Sequence, residues 1–353
     1  MAGLGTVLVT GGAGFIGCAL SRVLAAEADR WVVVDSLHPQ VHAEHRRPRA
    51  LDDRAELVVA DVTERPTWDA LLDGGLRPDV VLHLAAETGT AQSLDESTRH
   101  ASVNVVGTTM MIDAFTRFEH VPSRILLSGS RAVYGEGMWR DASGRAFQPG
   151  MRSHAQLEAA QWDFPGATPL PSRADVTPTA PTSVYGATKL AQEHVLAAWC
   201  GSRGTRLTTL RLQNVYGEGQ SLTNPYTGIV ALFSQLAERG HSIPVYEDGR
   251  ITRDFVYITD VVAAFAAALR SGGQLPGILD VGLGRAHTVL ELAQAVADHY
   301  GAPAPTITGG FRDGDVRHSE CDISLASEAL GWTPERSLRD GVAALQDWIA
   351  RAR

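Results

Sequence analysis

One short stretch near the start of the chain constrains the fold more than any other. It reads VTGGAGFIG from Val9 to Gly17, between the apolar run TVLVT and an amphipathic stretch with helical spacing. Gly11, Gly14 and Gly17 stand three residues apart, which allows a tight turn and a close approach of the backbone to a ligand. Free N–H groups at the start of the following helix would then face an anion such as a pyrophosphate. The stretch therefore predicts a strand, a turn and a helix that hold a dinucleotide.

The alternation of apolar and helical stretches continues beyond this turn. Further buried runs read WVVVDS, AELVVADV, DVVLHLAAE, SRILLSGS and RLTTLRLQN, and helical stretches lie between them. This pattern indicates α/β architecture, a doubly wound parallel Rossmann sheet covered on both faces. We expect an NAD-binding domain over 1–215 and a smaller mixed α/β substrate domain over 216–353. Segments near 252–275 are expected to return to the first domain.

The stretch 138–181 interrupts this rhythm. It is rich in Pro, Gly and polar residues and is too long for a plain loop in a compact domain, so we expect a lid or a small subdomain. The cysteines Cys18, Cys200 and Cys321 are widely scattered, and none lies in this insertion. They form neither a metal motif nor a disulfide framework, which predicts no metal and favours a cytoplasmic location.

The net charge of −9 argues against nucleic acid or an anionic membrane surface as a partner. No apolar run is long enough to cross a bilayer. The first residues have no basic segment and lead directly into a strand, so we expect no signal peptide. These observations favour a protein that binds a small molecule.

Asp35 indicates which dinucleotide is bound. It ends the second apolar run, 18 residues after Gly17. A carboxylate there can accept hydrogen bonds from both hydroxyls of the adenine ribose and would repel a 2′-phosphate, so NAD is favoured over NADP. ADV places a carboxylate where it could meet the adenine amino group, and HLAAET supplies a turn of small residues after the fourth strand. The residues expected to contact the cofactor are Gly11, Gly14, Phe15, Ile16, Gly17, Asp35, Asp61, Val62, Leu84, Ala85 and Ala86.

The tripeptide Val-Tyr-Gly occurs three times, but only one copy precedes a lysine. Tyr185 and Lys189 stand four residues apart in YGATK, and Lys189 is the only lysine in the chain. On a helix these positions share a face, and an ammonium there would lower the pKa of the phenol. We therefore expect Tyr185 and Lys189 to be catalytic and also to contact NAD. Tyr134 and Tyr216 have no such partner, and for both we favour a structural or pocket-lining role.

Ser130 is the third candidate for catalysis. It ends the strand SRILLSGS, and strand C-termini in open parallel sheets face the ligand crevice. A hydroxyl there can hydrogen-bond a reacting sugar hydroxyl or the ketone that it becomes.

These motifs together resemble the extended short-chain dehydrogenase/reductase family, which acts on nucleotide sugars. The matching pieces include TGGAGFIG, VNVVGT, SGSRAVYG, YGATK, RLQNVYG, RDFVYITDVV and FRDGDVRHSECDIS, so the resemblance covers nearly the whole chain. It implies a catalytic set of Tyr185, Lys189 and Ser130, with Asn104 supporting the lysine and belonging to the residues that contact NAD. It implies a substrate site in which Arg253 and Arg312 hold a diphosphate, as two parallel hydrogen bonds from an arginine can. The residues expected to contact the substrate are Thr88, Ser130, Arg131, Asn214, Arg253, Arg312, Asp315 and Ser319.

The residues after Ser130 favour one reaction within that family. Its 4,6-dehydratases carry an acidic pair there and its decarboxylases a glutamate, whereas this chain has Arg131 and Ala132. A 4-epimerase or a 4-keto reductase remains. DSLHPQVH, HLAAETGTAQS, RLQNVYGEGQSLTNPYTG and the long insertion are similar to the dTDP-L-rhamnose 4-epimerase branch, although that branch often has two cysteine pairs in its insertion. Ser319 replaces the gating residue of hexose epimerases and suggests a roomy pocket.

The resemblance thus implies an NAD-dependent 4-epimerase of a dTDP- or UDP-sugar that works through a transient 4-keto intermediate. The alternatives are a 4-keto reductase with the same residues and an exchangeable cofactor, and a UDP-hexose 4-epimerase. A nucleotide-sensing protein of the same fold is a further alternative, but the retained Tyr185 and Lys189 argue against it. The resemblance also implies a homodimer through the helices that start near Val103 and Tyr185.

Overall fold

The structure, a computed structural model, describes residues 3–42, 44–221 and 228–351. The strands of the described residues are β1 (Thr6–Thr10), β2 (Arg30–Asp35), β3 (Ala55–Val59), β4 (Val80–His83), β5 (Arg124–Ser130), β6 (Met138–Arg140), β7 (Ala146–Phe147), β8 (Thr168–Leu170), β9 (Arg206–Leu212), β10 (Asn214–Tyr216), β11 (Pro244–Val245), β12 (Thr252–Tyr257), β13 (Ile278–Val281), β14 (Ala286–Thr288) and β15 (Thr306–Ile307). The helices are α1 (Phe15–Leu24), α2 (Arg65–Asp73), α3 (Gln92–Asp95), α4 (Ser97–Ala101), α5 (Gly107–Arg117), α6 (His154–Glu158), α7 (Val184–Arg203), α8 (Ile229–Glu238), α9 (Ile258–Arg270), α10 (Val289–Tyr300), α11 (Ser324–Leu330) and α12 (Leu338–Arg351).

A seven-stranded parallel sheet positions the site. Its order is β13-β9-β5-β4-β1-β2-β3, with Val9 opposite Val33 on one side and Leu82 on the other. The direction of the strand order reverses between β1 and β4, and such a reversal opens a crevice at the carboxyl ends of the strands. The α/β class and the doubly wound parallel sheet are confirmed.

The two faces of this sheet are buried by different helices. Val7 and Val9 of β1 belong to a cluster that includes α1, α9, α10 and α12, while Leu8 points into a second cluster with residues of α2, α5 and α7. Successive side chains of a strand point to opposite faces, so a strand covered on both sides reads as one continuous apolar run. This explains the uninterrupted TVLV and WVVV segments.

The second half of the chain divides between the main sheet and smaller ones. α9 packs against α1, and β13 extends the main sheet by pairing with β9 in parallel. The remaining strands form a three-stranded sheet, β10-β12-β14, and the pair β11-β15. Among the helices of the described ranges, none is long and apolar enough to cross a bilayer.

The insertion 138–181 has structure of its own. β6 is the middle strand of a small antiparallel sheet with the order β7-β6-β8, and α6 follows β7. Trp139 of β6 is almost fully buried and packs edge-on against Phe164 at a ring distance of 4.9 Å. The insertion is therefore a small folded unit and not an extended loop.

Candidate active site

The glycine loop is held tightly between β1 and α1. Gly11 has φ +67°, and a Cβ there would lie 2.7 Å from the backbone N and Cα of Ala85. A Cβ on Gly17 would lie 2.4 Å from Gly12 Cα, so both positions exclude any side chain. Gly14 caps α1 without a side-chain hydrogen bond. The first N–H groups of α1, at Phe15 and Ile16, thus start a helix whose end no side chain covers, which suits a pyrophosphate.

Asp35 lies beside this loop at the end of β2. Its Oδ2 accepts the N–H of Ala13 at 3.0 Å, and its Oδ1 accepts the N–H of Leu37 at 2.9 Å. His42 Nε2 lies 3.7 Å from Oδ1. A carboxylate oxygen can accept more than one hydrogen bond, so Asp35 retains capacity for ribose hydroxyls. The uncapped helix, the glycine cradle and this carboxylate fit NAD.

The other predicted cofactor contacts lie in loops at the same edge of the sheet. Leu84 and Ala85 run against the glycine loop, with their N–H groups donating to the carbonyl and hydroxyl oxygens of Thr10 at 3.0 and 3.3 Å. Asp61 is exposed and accepts both the N–H and the hydroxyl of Thr63 at 2.8 Å. Its carboxylate therefore stabilises a local turn before α2, a role typical of aspartate at a helix start.

Tyr185 and Ser130 are brought together by two elements that meet at a glycine. Ser183 caps α7 by accepting the N–H of Gly186 at 3.1 Å, which places Tyr185 in the first turn. Gly186 packs on the 3₁₀ turn after β5, where a Cβ would lie 2.6 Å from the carbonyl oxygen of Ala132. The Ser130 side chain acts on the Tyr185 hydroxyl and lowers its pKa. The strand end and the helix start thus present two adjacent hydroxyls.

The electrostatics of Tyr185 differ from what the sequence predicts. We expect the Lys189 ammonium to lower the pKa of the phenol, but burial raises the pKa of Tyr185, and the opposing groups are Ser130 and Arg131. Lys189 Nζ instead donates to Gln192 Oε1 at 2.5 Å. Burial lowers the pKa of Lys189 to about 8, against the Glu193 carboxylate. In this structure the lysine side chain turns toward its own helix, and the guanidinium of Arg131 acts on the phenol.

The polar cluster behind Lys189 was not predicted from the sequence. Gln192 Nε2 donates to Thr108 Oγ1 at 3.0 Å, and His83 bridges Thr108 and Thr10 through its two ring nitrogens at 2.8 and 2.7 Å. Burial and the nearby Lys189 lower the pKa of His83 to about 3, so the imidazole is neutral. The signal in the sequence was a histidine at the end of an otherwise apolar strand, VVLH.

Asn104 connects this cluster to the loop after β4. It lies in a single π-helical turn, Ser102–Val106, inserted between α4 and α5. Its Nδ2 donates to Thr188 Oγ1 at 2.9 Å, and its Oδ1 accepts the N–H of Glu87 at 2.8 Å. Single π turns inside helices occur frequently at functional sites. Here the turn fixes α7, and with it Tyr185 and Lys189, against the loop after β4.

The other two Val-Tyr-Gly tyrosines are buried. Tyr134 donates to Asp280 at 2.8 Å, and the Arg211 guanidinium lies 4.8 Å from its ring centre. Tyr216 packs on Tyr257 and donates to the carbonyl of Leu338 at 3.3 Å. Both contact the core, which agrees with the structural role expected for them.

The predicted substrate residues of the second half lie on both sides of β12. Arg253 donates to Asp315 Oδ1 at 2.5 Å and not to its neighbour Asp254, which accepts the N–H groups of Leu283 and Gly284. The guanidinium of Arg312, exposed, lies 5.1 Å above the ring of Tyr246.

The remaining substrate candidates are Ser319, Asn214 and Thr88. Ser319 donates to Gln213 Oε1 at 3.1 Å, and Asn214 Oδ1 is buried without a hydrogen-bond partner. Thr88 is exposed, and its carbonyl oxygen faces a ring nitrogen of His100 at 3.4 Å. Residues 222–227, which complete the motif RLQNVYGEGQSLTNPYTG, lie outside the described residues.

Arg131 connects the two halves of the site. Its charge interacts with Arg253 and Asp315, and also with Tyr185 and Glu136. Burial and the like charge of Arg253 lower its pKa to about 10, and the three acidic groups oppose this. The Arg131 guanidinium is therefore close enough to feel the charges of both Tyr185 and Arg253. No three His, Cys, Asp or Glu side chains group to hold a metal within the described ranges.

The arrangement of glycine loop, paired hydroxyls and lysine agrees with a match to a known family. Residues 7–282 match the family model described as the NAD dependent epimerase/dehydratase family. The chain belongs to this family. The match supports an NAD-dependent enzyme, as the resemblance implied.

Individual members of the family extend the likeness to the whole chain. A dTDP-L-rhamnose 4-epimerase from Burkholderia thailandensis is 60% identical over 345 residues, which cover 98% of this chain and 95% of that protein. The UDP-glucose 4-epimerase of Thermotoga maritima, solved with UDP-glucose, is 27% identical with a TM-score of 0.79, covering 98% of this chain and 99% of that one. The Thermus thermophilus UDP-glucose 4-epimerase, solved with NAD, is 26% identical with a TM-score of 0.75, covering 99% and 100%. The family and the NAD cofactor predicted from the sequence are confirmed.

Proposed function

We propose that this family member is a nucleotide-sugar 4-epimerase whose substrate is a dTDP-6-deoxyhexose of the dTDP-L-rhamnose type. The reaction inverts C4 of the sugar through a transient 4-keto intermediate and leaves no net oxidation or reduction. One observation supports the reaction above all others. Ser130, at the end of β5, acts directly on the hydroxyl of Tyr185, in the first turn of α7, and lowers its pKa.

Tyr185 is the group that exchanges a proton with the sugar. As a phenolate it accepts the proton of the C4 hydroxyl, and as a phenol it returns it to the oxygen after inversion. Burial favours the neutral phenol, while Arg131 favours the phenolate. NAD, held by the glycine loop and Asp35, would supply the acceptor and donor of hydride for C4. Ser130 donates or accepts a hydrogen bond at the same oxygen throughout the reaction, and so holds C4 in place next to Tyr185.

The residues beyond Arg131 keep the nucleotide fixed while the sugar turns. Inversion requires the keto sugar to present its other face, so rotation must occur about bonds between the sugar and a held diphosphate. Arg253 is buried and Arg312 is exposed. We assign Asp315, which is bonded to Arg253, to hydroxyls of the nucleoside ribose. Two arginines on different elements suit the two phosphates.

The choice of sugar depends on the 60% identity with the Burkholderia thailandensis dTDP-L-rhamnose 4-epimerase over almost the full length. The likeness to UDP-glucose 4-epimerases is weaker, and it supports a UDP-hexose as the second candidate. Ser319, small and next to Gln213, leaves room for either sugar.

The direct test is incubation of the purified protein with dTDP-L-rhamnose and no added reductant, followed by NMR of the nucleotide sugars. We expect the C4 epimer to appear without accumulation of reduced cofactor. UDP-glucose in a parallel reaction tests the second candidate. Turnover only of a 4-keto sugar with added NADH would show a reductase and contradict the proposal.

We also propose that the enzyme is a cytoplasmic homodimer. The contact would involve α7 and the helix that contains Val103, where Val106 is exposed. Light scattering after size-exclusion chromatography would show twice the chain mass, and a monomeric mass at assay concentration would contradict the dimer.

A further inference from the structure

One arginine of the insertion 138–181 is buried in the interior of the protein. Arg152 is 2% exposed although it lies in a segment rich in Pro, Gly and polar residues. Its Nη1 donates to Glu247 Oε2 at 2.9 Å and to the carbonyl of Trp162 at 3.1 Å. Its Nη2 lies 2.9 Å from Glu247 Oε1 and donates to the carbonyl of Asp315 at 2.8 Å, and its Nε lies 3.3 Å from Glu136 Oε1. One side chain thus joins four parts of the chain.

A second arginine completes the cluster. Arg317 donates to Glu247 at 2.9 Å, to Asp248 at 2.7 and 2.9 Å and to Asp163 of the insertion at 2.8 Å. Its backbone N–H donates to Glu136 Oε2 at 2.9 Å. Glu136 and Glu247 therefore each contact both arginines. A buried network of this kind tolerates little displacement, because the loss of one partner leaves an uncompensated charge.

Glu247 is held in an unusual conformation at the centre of this cluster. Its φ is 51° although it is not a glycine, and it is 1% exposed. Such backbone conformations persist only where the surroundings fix them. Its N–H donates to the carbonyl of Gly310 at 2.7 Å, and the preceding Tyr246 packs under Arg312. The turn that binds Arg152 thus also supports the segment 310–315.

Asp315 is hydrogen-bonded by two arginines. Arg152 holds its carbonyl oxygen, and Arg253 holds its carboxylate. Aromatic packing adds to this, since Phe311 lies 6.3 Å from Trp162 and 5.5 Å from His154 of the insertion, measured between ring centres. The segment that carries Arg312 and Asp315 therefore rests on the insertion.

We propose that Arg152 is a positioning residue through which the insertion sets the nucleotide diphosphate site, by fixing residues 311–315 relative to Arg253. The inference rests on the proposed function, because it assigns Arg312 and Asp315 to the nucleotide part of the substrate. The hydrogen bonds and ion pairs of Arg152 described above involve neither of the paired hydroxyls, so it acts on binding and not on proton transfer.

The test separates binding from catalysis. In Arg152→Lys, which keeps the charge but loses the forked contact, we expect KM for dTDP-L-rhamnose and Kd for dTDP to rise about tenfold. Arg152→Gln should raise both further. At saturating substrate kcat should stay within about threefold, with bound NAD unchanged, because the groups at C4 are untouched. Arg145→Gln is the matched control, since Arg145 lies in the same insertion with a side chain 79% exposed.

Three results would overturn the inference. If the Arg152 variants lose thermal stability but bind dTDP like the wild type, the arginine is only structural. If kcat falls and KM does not change, it acts on the chemistry. If Arg152→Lys does not fold, the arginine serves folding and not positioning. A different result would contradict the proposed function itself: a wild-type protein that does not bind dTDP in calorimetry and does not epimerise dTDP-L-rhamnose.

Discussion

Gly186 gives the sharpest test of how Tyr185 and Ser130 are brought together. A Cβ on this residue would lie 2.6 Å from the Ala132 carbonyl oxygen, whereas ordinary contact begins at 3.4 Å. In Gly186→Ala the turn after β5 must therefore retreat by about 0.8 Å, the difference between these contact distances. The N–H of Ala132 donates to Ser130 Oγ at 3.2 Å, so the serine hydroxyl moves with that turn.

The expected effect is on the rate of reaction. A displacement of about 1 Å at reacting groups can cost roughly 10²-fold, so we expect kcat of Gly186→Ala to fall by about that factor. KM for the nucleotide sugar and the amount of bound NAD should change little, because the glycine loop and Arg253 are untouched. Overpacking should lower the free energy of unfolding by about 1–3 kcal/mol.

The same helix provides the control. Gly201 also lies in α7, and a Cβ there would meet nothing within 4 Å. Gly201→Ala should leave kcat unchanged and stabilise the protein by about 0.5–1 kcal/mol through helix propensity. Kinetics by coupled assay and urea unfolding are measured on both variants. A folded Gly186→Ala enzyme with kcat within about threefold of the wild type would refute the reasoning.

Further predictions concern the proton donor, the buried carboxyls and the cofactor. Tyr185→Phe should reduce kcat by roughly 10²–10⁴-fold with NAD still bound. The control Tyr216→Phe loses the hydrogen bond to the Leu338 carbonyl and should keep the wild-type kcat. Equal losses of kcat in both variants would contradict the assignment of proton transfer to Tyr185. Burial raises the pKa of Glu136 to about 7 from 4.5, so the folded chain retains a proton that the unfolded chain releases, and stability is lost as pH rises through that range. Glu136→Gln removes this dependence. Measured by urea unfolding, the free energy of unfolding of the variant relative to the wild type should rise by up to about 3 kcal/mol between pH 4.5 and 7.5. A difference between the two proteins that does not vary with pH would contradict this. Asp35→Ser should weaken NADH binding about tenfold and reduce the preference over NADPH, measured by nicotinamide fluorescence, whereas an unchanged preference would show that Asp35 does not select the cofactor.

The glycine loop and the parallel strands were predictable because their signals are local. A strand, a glycine turn and a helix occupy adjacent residues, and each buried strand is one continuous apolar run. β13 was not predicted, because ILDV is too short to distinguish a strand from a loop by its pattern alone.

The contacts of the site were less predictable, because they join distant segments. Lys189 was expected to act on Tyr185, but its acceptor is Gln192, within a cluster completed by residues 83 and 108. Arg253 has an acidic neighbour in sequence, yet its partner is Asp315, 62 residues away. The burial of Arg152 could not be predicted, because the residues next to it in the sequence do not distinguish it from an exposed arginine. Spacing along one helix or strand predicts which residues share a face, and tertiary packing decides which partner each one meets.

The fate of the hydrogen on C4 tests the central claim most directly. In the proposed mechanism, hydrogen leaves C4 and returns to the same carbon on the opposite face while Tyr185 handles only the proton on oxygen. We expect dTDP-L-rhamnose carrying deuterium at C4 to give a C4 epimer that retains the label at C4, in ordinary water and without added reductant. Absence of the epimer, or an epimer whose C4 label has been lost, would contradict it.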